Sequence, residues 1–269
     1  MPTRFGAAAE VVPGTLDGYA VRHVSSDVGR YYWRVASPMR LPRPLAADTT
    51  HVWCASLDEP PIAHQRLFEI ARDAERVARE RDRLRSVAAR GLLRMLLASY
   101  LDIRPDHVQL RLGAHGKPHL SNPQGLQFNV SHAHDLALYA VTRSGEVGVD
   151  LEHVRPIASN LRIAKRFFTP GEFEAIVALP EQERDQAFFR CWTRKEAYVK
   201  ARGGGLSIPL DEFQVEVEPA STATLLRSTS APEEVARWQL YDLRPAPDFI
   251  GAVCVERHVH QIACWMWAR

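Results

Sequence analysis

Lysine is scarce in this 269-residue chain: of 34 basic side chains, only Lys117, Lys165, Lys195 and Lys200 are lysines. A nucleotide bias favouring arginine and alanine codons accounts for the bulk of that imbalance. Lysines that survive such a bias are expected where a compact ammonium is needed rather than a planar fork. Cysteine is sparse as well. Cys54, Cys191, Cys254 and Cys264 are scattered without a CxxC pair, which argues against a disulfide framework and for reduced, mostly buried thiols in a cytoplasmic protein. Long apolar runs are missing: the longest, residues 91–101, is broken by Arg94 and is too short to span a bilayer. The first twenty residues lack a charged segment followed by an apolar one, so no signal peptide is expected. Charge of one sign is also lacking. A net +2 is too small to point to nucleic acid or a membrane surface.

What remains is ordinary for a globular chain, 46% hydrophobic and 25% charged. The length accommodates one large domain or two halves of about 110 residues each. Residues 1–50 are heterogeneous, with prolines at 38, 42 and 44, and read as an N-terminal extension. Its aromatic cluster Tyr31, Tyr32 and Trp33 suggests that part of it docks. A first strand is expected over 51–57, then a long helical zone over 64–100 with a charge-dense junction at 72–85. From 106 the period shifts to two, predicting strands over 108–112, 126–130, 136–142 and 147–152. Helices follow over 159–168, 171–178 and 181–202, the last stopped by Gly203-Gly204-Gly205. Strands over 213–217, 238–243, 250–255 and 262–267 complete the pattern. Helices then strands, twice, predict an α+β fold of two similar halves, 51–154 and 155–269.

Within that frame, Gly148-Val149-Asp150-Leu151-Glu152 is the most informative segment. In a strand Val147, Val149 and Leu151 face one way, and Asp150 and Glu152 share the other face about 7 Å apart. Two such carboxylates repel unless a cation lies between them, and a hard cation such as magnesium takes oxygen ligands of this kind. A solvated outer face is the bland alternative. The helix over 181–202 supplies a complement. At its angular period Phe188, Cys191, Trp192, Tyr198 and Val199 form an apolar arc, Glu196 falls at the rim, and Lys195 lies well inside. Glu196 and Lys200 are one turn apart and could simply pair with each other. A carboxylate at a core edge is costly without a partner, and a metal shared with Asp150 and Glu152 would provide one.

Three weaker features accompany these. Phe128-Asn129-Val130-Ser131-His132 ends an apolar strand in a hydroxyl and an imidazole. His132 and His134 lack a third ligand at metal spacing, so a phosphate-binding Ser131–His132 pair is the better reading. Gly116-Lys117-Pro118 holds a lysine between two conformationally special residues, and Arg85-Ser86 at the head of the second helix offers an arginine fork for a phosphate.

Taken in order, GKP at 116–118, FNVSH at 128–132, GVDLE at 148–152, RFFTPGE at 166–172, WTRKEAYVK at 192–200 and GLSIPL at 205–210 resemble the surfactin-type 4'-phosphopantetheinyl transferases. The resemblance runs from about residue 80 to about residue 217. It implies two α+β halves related by a pseudo-twofold axis, with the active site at their junction. It also implies Mg2+-dependent transfer of the phosphopantetheine arm from coenzyme A to a serine of an apo acyl or peptidyl carrier protein, releasing 3',5'-ADP. Asp150, Glu152 and Glu196 match magnesium ligands, Lys200 matches a pyrophosphate lysine, and Glu196 is the candidate base. Arg85, Lys117, Ser131 and His132 match positions around the adenosine 3'-phosphate and its neighbours, Lys195 matches a second lysine of the motif, and Ser86, Pro118 and Lys195 are counted with them as expected coenzyme A-binding residues. A monomer is expected. The segment 153–168, with Arg155, Arg162, Lys165 and Arg166 beside Ile157, Leu161, Ile163, Phe167 and Phe168, suits an acidic amphipathic partner or, equally, packing on its own core. A metal-dependent phosphodiesterase or nuclease is the competing enzyme class, and a non-catalytic coenzyme A or carrier binder the third reading.

Overall fold

Segments of period two assemble into two main sheets, and segments of period 3.6 pack onto them. The computed structural model describes residues 14–16, 19–23, 32–36, 44–71, 80–156, 159–220 and 222–267. In chain order the strands and helices begin with β1 (Gly14–Leu16), β2 (Tyr19–His23), β3 (Tyr32–Ala36), β4 (Thr49–Ser56), α1 (His64–Ala71) and α2 (Glu80–Leu101). Then come β5 (Leu110–Leu112), β6 (Pro118–Leu120), β7 (Gln127–Ala133), β8 (Leu136–Thr142) and β9 (Val147–His153). Helices α3 (Asn160–Phe167), α4 (Pro170–Ala178) and α5 (Glu181–Arg202) follow. The chain closes with β10 (Phe213–Val215), β11 (Thr222–Ala223), β12 (Leu225–Ser228), α6 (Glu234–Arg237), β13 (Trp238–Leu243), β14 (Phe249–Glu256) and β15 (Gln261–Trp267). This is the mixed α+β architecture expected. The charge-dense junction at 72–79 lies outside the described residues.

The first sheet has seven strands in the order β1-β2-β3-β15-β4-β8-β7, and the second has four in the order β11-β13-β14-β9. Part of the N-terminal extension docks, at the aromatic cluster that suggested it: β3 pairs in parallel with β15, and Trp33 is fully buried with its indole N–H donating to the Arg244 carbonyl. The halves also exchange strands. β15, from the end of the chain, lies between β3 and β4 in the first sheet. β9, which closes the first half in sequence, pairs with β14 in the second. A hydrophobic strand pairs where its faces are covered, whatever its place in the chain. Here Trp265 and Trp267 pack with Trp53 in the core under α2.

Local signals explain the helices that carry the site. Thr169 caps α4 in a reciprocal box with Glu172, and Pro170 occupies its first turn. Helix α5 has Glu181 and Glu183 in its first turn and Lys200 and Arg202 in its last, complementing its dipole. It ends at Gly203, whose φ of 70° lets its N–H close onto Val199 and Lys200 carbonyls. All four cysteines are buried free thiols.

Candidate active site

Strand β9 is the edge of the second sheet, and β7 is the edge of the first. Side chains of β7 bridge the gap between them. Asn129 accepts a hydrogen bond from the Val149 N–H at 2.8 Å. Two residues on, and so on the same strand face, Ser131 donates to Asp150 Oδ1 at 2.9 Å. Helix α5 packs against β9. From it Lys200 Nζ reaches Asp150 Oδ1 at 2.6 Å and Ser131 Oγ at 3.0 Å. The cluster therefore gathers one buried carboxylate, one hydroxyl and one ammonium from three elements.

The remaining oxygen of Asp150 is decisive. Asp150 is 5% exposed, and its Oδ2 is buried without a hydrogen-bond partner among the described residues. Leaving a carboxylate oxygen buried and unpaired is costly. Glu152 and Glu196 stand half-buried around it. Burial, then the charge of Asp150, hold Glu152 well above the usual carboxylate range, at about 7, against the opposing pull of Arg155 and Lys200. Burial and Asp150 also raise Glu196, with Lys200 opposing. Asp150, Glu152 and Glu196 offer oxygen atoms of the kind a hard divalent cation takes, and the charge of Asp150, which adds to burial in raising the two glutamates, marks them as its near neighbours. Among the described residues no three His, Cys, Asp or Glu side chains are already drawn together tightly enough to hold a metal. Lys200 supplies the positive charge at Asp150 instead.

Residues 146–262 match the family model described as the 4'-phosphopantetheinyl transferase superfamily, and residues 53–144 match that of the 4'-phosphopantetheinyl transferase N-terminal region. The chain is 37% identical over 238 residues to the 4'-phosphopantetheinyl transferase HetI of Nostoc sp., covering 84% of this chain and 97% of that protein. The chain belongs to the 4'-phosphopantetheinyl transferase family. Similar relatives include the transferase psf-1 of Bacillus pumilus, 31% identical over 203 residues, covering 73% of this chain and 84% of that one. The transferase Sfp of Bacillus subtilis is 32% identical over 126 residues, covering 47% of this chain and 55% of that protein.

In this transferase the other expected site residues fall into two groups. His132 follows Ser131 on β7 and keeps an exposed edge. Burial of the rest of its ring, then the charges of Lys200 and Arg90, lower its pKa. Lys200 and Arg90 thus both stand near enough to His132 for their charges to act on it. Arg90, on α2, was not singled out from the sequence, where it is one arginine among many. Asn129 was visible only as a letter of its motif.

The second group is engaged elsewhere. Lys195, expected near the nucleotide, is fully buried. Its ammonium pairs with Glu172 Oε2 at 2.8 Å and donates to the carbonyls of Leu210 at 2.7 Å and Phe213 at 2.6 Å. The helical wheel that put Lys195 inside the apolar arc predicts this burial; the missing information was Glu172. Arg85 presents its fork to Asp58, with bonds of 2.6 and 2.8 Å, in place of a phosphate. Ser86 is half-buried beside it on α2. Pro118 opens β6 opposite Leu112. Lys117 is bound to three protein oxygens, described below.

Proposed function

We propose that this transferase moves 4'-phosphopantetheine from coenzyme A to a serine of an apo carrier protein, with 3',5'-ADP as leaving group and Mg2+ as cofactor. The observation that carries the reading is the Asp150 carboxylate, buried with one oxygen unpaired and flanked by Glu152 and Glu196. Asp150, Glu152 and Glu196 would hold the ion. When bound, it would neutralise charge on the pyrophosphate as the anhydride breaks.

The protein's own residues supply the rest. The carrier serine oxygen forms a bond to the phosphorus bearing pantetheine, and the bond from that phosphorus to the oxygen of the nucleotide's 5'-phosphate breaks. The serine proton passes to a base. Glu196 is the candidate, since burial and Asp150 hold its pKa up; it can act as base only while it is not a tight metal ligand. Lys200 lies against Asp150 and Ser131, so its ammonium is at hand for a pyrophosphate oxygen. Ser131 beside Lys200, and His132 under the charges of Lys200 and Arg90, suit the nucleotide phosphate.

Helix α3 supports an acidic partner. Arg162, Lys165 and Arg166 are exposed on it together with Leu161 at 36% and Phe167 at 40%. Arg166 lies over the Phe167 ring at 5.0 Å. Phe168 turns inward to stack on Phe188, and Ile157 lies outside the described residues. The exposed set is the mixture of cation and apolar surface that an acidic amphipathic helix would meet. We place the enzyme in the cytoplasm as a monomer.

The test is intact-mass spectrometry of an apo carrier protein incubated with enzyme, coenzyme A and Mg2+. The expected result is a gain equal to one phosphopantetheine arm, lost with a chelator. No gain on several carriers with folded enzyme would overturn the reading.

A further inference from the structure

The lysine of the GKP motif does not point into open solvent. Lys117 lies in the loop between β5 and β6, closed by hydrogen bonds from the Gly113 N–H to the Lys117 carbonyl and from the Gly116 N–H to the Gly113 carbonyl. Gly116 turns the chain at φ 80°. From that loop Lys117 Nζ donates to Glu146 Oε2 at 2.9 Å, to the Val147 carbonyl at 3.2 Å and to the Ala201 carbonyl at 3.2 Å. An ammonium has three donors, and all three are used. Its stem runs beside Gly203, the cap of α5, where an added Cβ would stand 3.7 Å from Lys117 Cδ.

The three acceptors belong to two elements only. Glu146 immediately precedes β9 and Val147 begins it, and β9 carries Asp150 and Glu152. Ala201 follows Lys200 in the last turn of α5, which carries Glu196. Carbonyls at a helix C-terminus have no intrahelical partner and carry its negative pole. A cation seated there is favoured, and it joins the helix end to the strand start. Where β9 and α5 touch, Gly148 leaves no room for a side chain between them.

We propose that Lys117 is a positioning residue for the transfer reaction. It staples the start of β9 to the end of α5 and so sets the separation of Asp150 and Glu152 from Glu196 and Lys200. A planar guanidinium cannot converge on three acceptors around one point, which accounts for a lysine in a chain that otherwise uses arginine. The inference rests on the proposed reading of the site only in taking those four residues as the reacting cluster.

The test uses Lys117→Met, Lys117→Arg and Glu146→Gln in the full chain. Steady-state kinetics with coenzyme A and with its 3'-dephospho form, together with amide hydrogen exchange, provide the readouts. A displacement of the cluster predicts that kcat falls by about 10- to 100-fold in Lys117→Met. The preference for coenzyme A over the dephospho form should stay at the wild-type ratio. Exchange should accelerate at residues 147–150 and 199–202, and Lys117→Arg should restore less than half of the lost kcat. Glu146→Gln, which keeps both carbonyl contacts, should show the same pattern in smaller measure, and decides the matter if Lys117→Met does not fold. Selective loss of the coenzyme A preference in either variant would overturn the proposal, as would wild-type kcat and exchange. Failure of the wild-type enzyme to transfer the arm in the presence of Mg2+ would instead count against the site reading, and exchange alone would then judge the staple.

Discussion

Gly148 on β9 lies so close to Ala197 on α5 that a Cβ at 148 would stand 2.1 Å from the Ala197 carbonyl oxygen and 2.3 Å from the Ala201 amide nitrogen. Backbone meets backbone there, and the contact brings the two carboxylates of β9 onto the face of the helix that carries Glu196 and Lys200. Real Cβ atoms do not approach that closely, so Gly148→Ala must push strand and helix apart. Transfer activity is expected to fall by about 100-fold or more, because a shift of about 1 Å at the cluster suffices. Steady-state assays with a parallel melting curve check it. Wild-type kcat at any melting temperature would refute the positional role.

Asp150→Ala removes the carboxylate that both Lys200 and the expected metal share. Transfer should drop below detection, and addition of Mg2+ should no longer stabilise the protein against heat. Turnover near wild type would take Asp150 out of the metal site.

Lys200→Ala should reduce kcat/KM for coenzyme A by about 10²- to 10³-fold, the usual range for losing one stabiliser of transition-state charge. An unchanged rate and KM would end its pyrophosphate role.

Lys195 is held by a fully buried carboxylate and two carbonyls, so its removal strands Glu172. Lys195→Met should destabilise the fold by about 3–5 kcal/mol. The double variant with Glu172→Met should recover part of that loss, and the folded enzyme should bind coenzyme A normally. Denaturant titrations and calorimetric binding give both numbers. Weakened coenzyme A binding without loss of stability would restore the nucleotide role.

His51 is buried, hydrogen-bonded to the Tyr100 hydroxyl at 2.6 Å, and lowered by burial and then Arg34 from 6.5 to about 4. The unfolded chain takes up this proton first. Stability is therefore full above about pH 6.5 and declines as pH falls towards 4, by roughly 3 kcal/mol from this group. His51→Gln should flatten that part of the stability–pH curve. An identical acid branch in the variant would assign it to other groups.

Charge reversal on α3, as Lys165→Glu with Arg166→Glu, should raise KM for an acidic carrier by about 10-fold at low salt while leaving KM for coenzyme A alone. Equal effects on both substrates, or on neither, would remove α3 from the carrier surface.

Much of this was readable in the residues themselves. Alternation along 147–152 put Asp150 and Glu152 on one face, and β9 spans Val147–His153. The glycines after Arg202 predicted the end of α5. The helical period placed Lys195 well inside the apolar arc, and it is fully buried. The scarcity of lysine predicted that survivors serve as compact ammoniums. Lys117 and Lys195 each satisfy three protein oxygens, and Lys200 donates to two.

Periodicity is a local property, so the sequence by itself determined which face of its own element each of these side chains occupies. It could not say what stands opposite. Lys117 meets a carbonyl 84 residues away, and β15 enters a sheet begun by the other end of the chain. An ammonium accepts any three oxygens at the right distance, and a strand pairs wherever its edge and faces are covered. Such partners are chosen by packing, so only the tertiary structure decided that Lys117 and Lys195 hold elements in place while Lys200 is left beside Asp150.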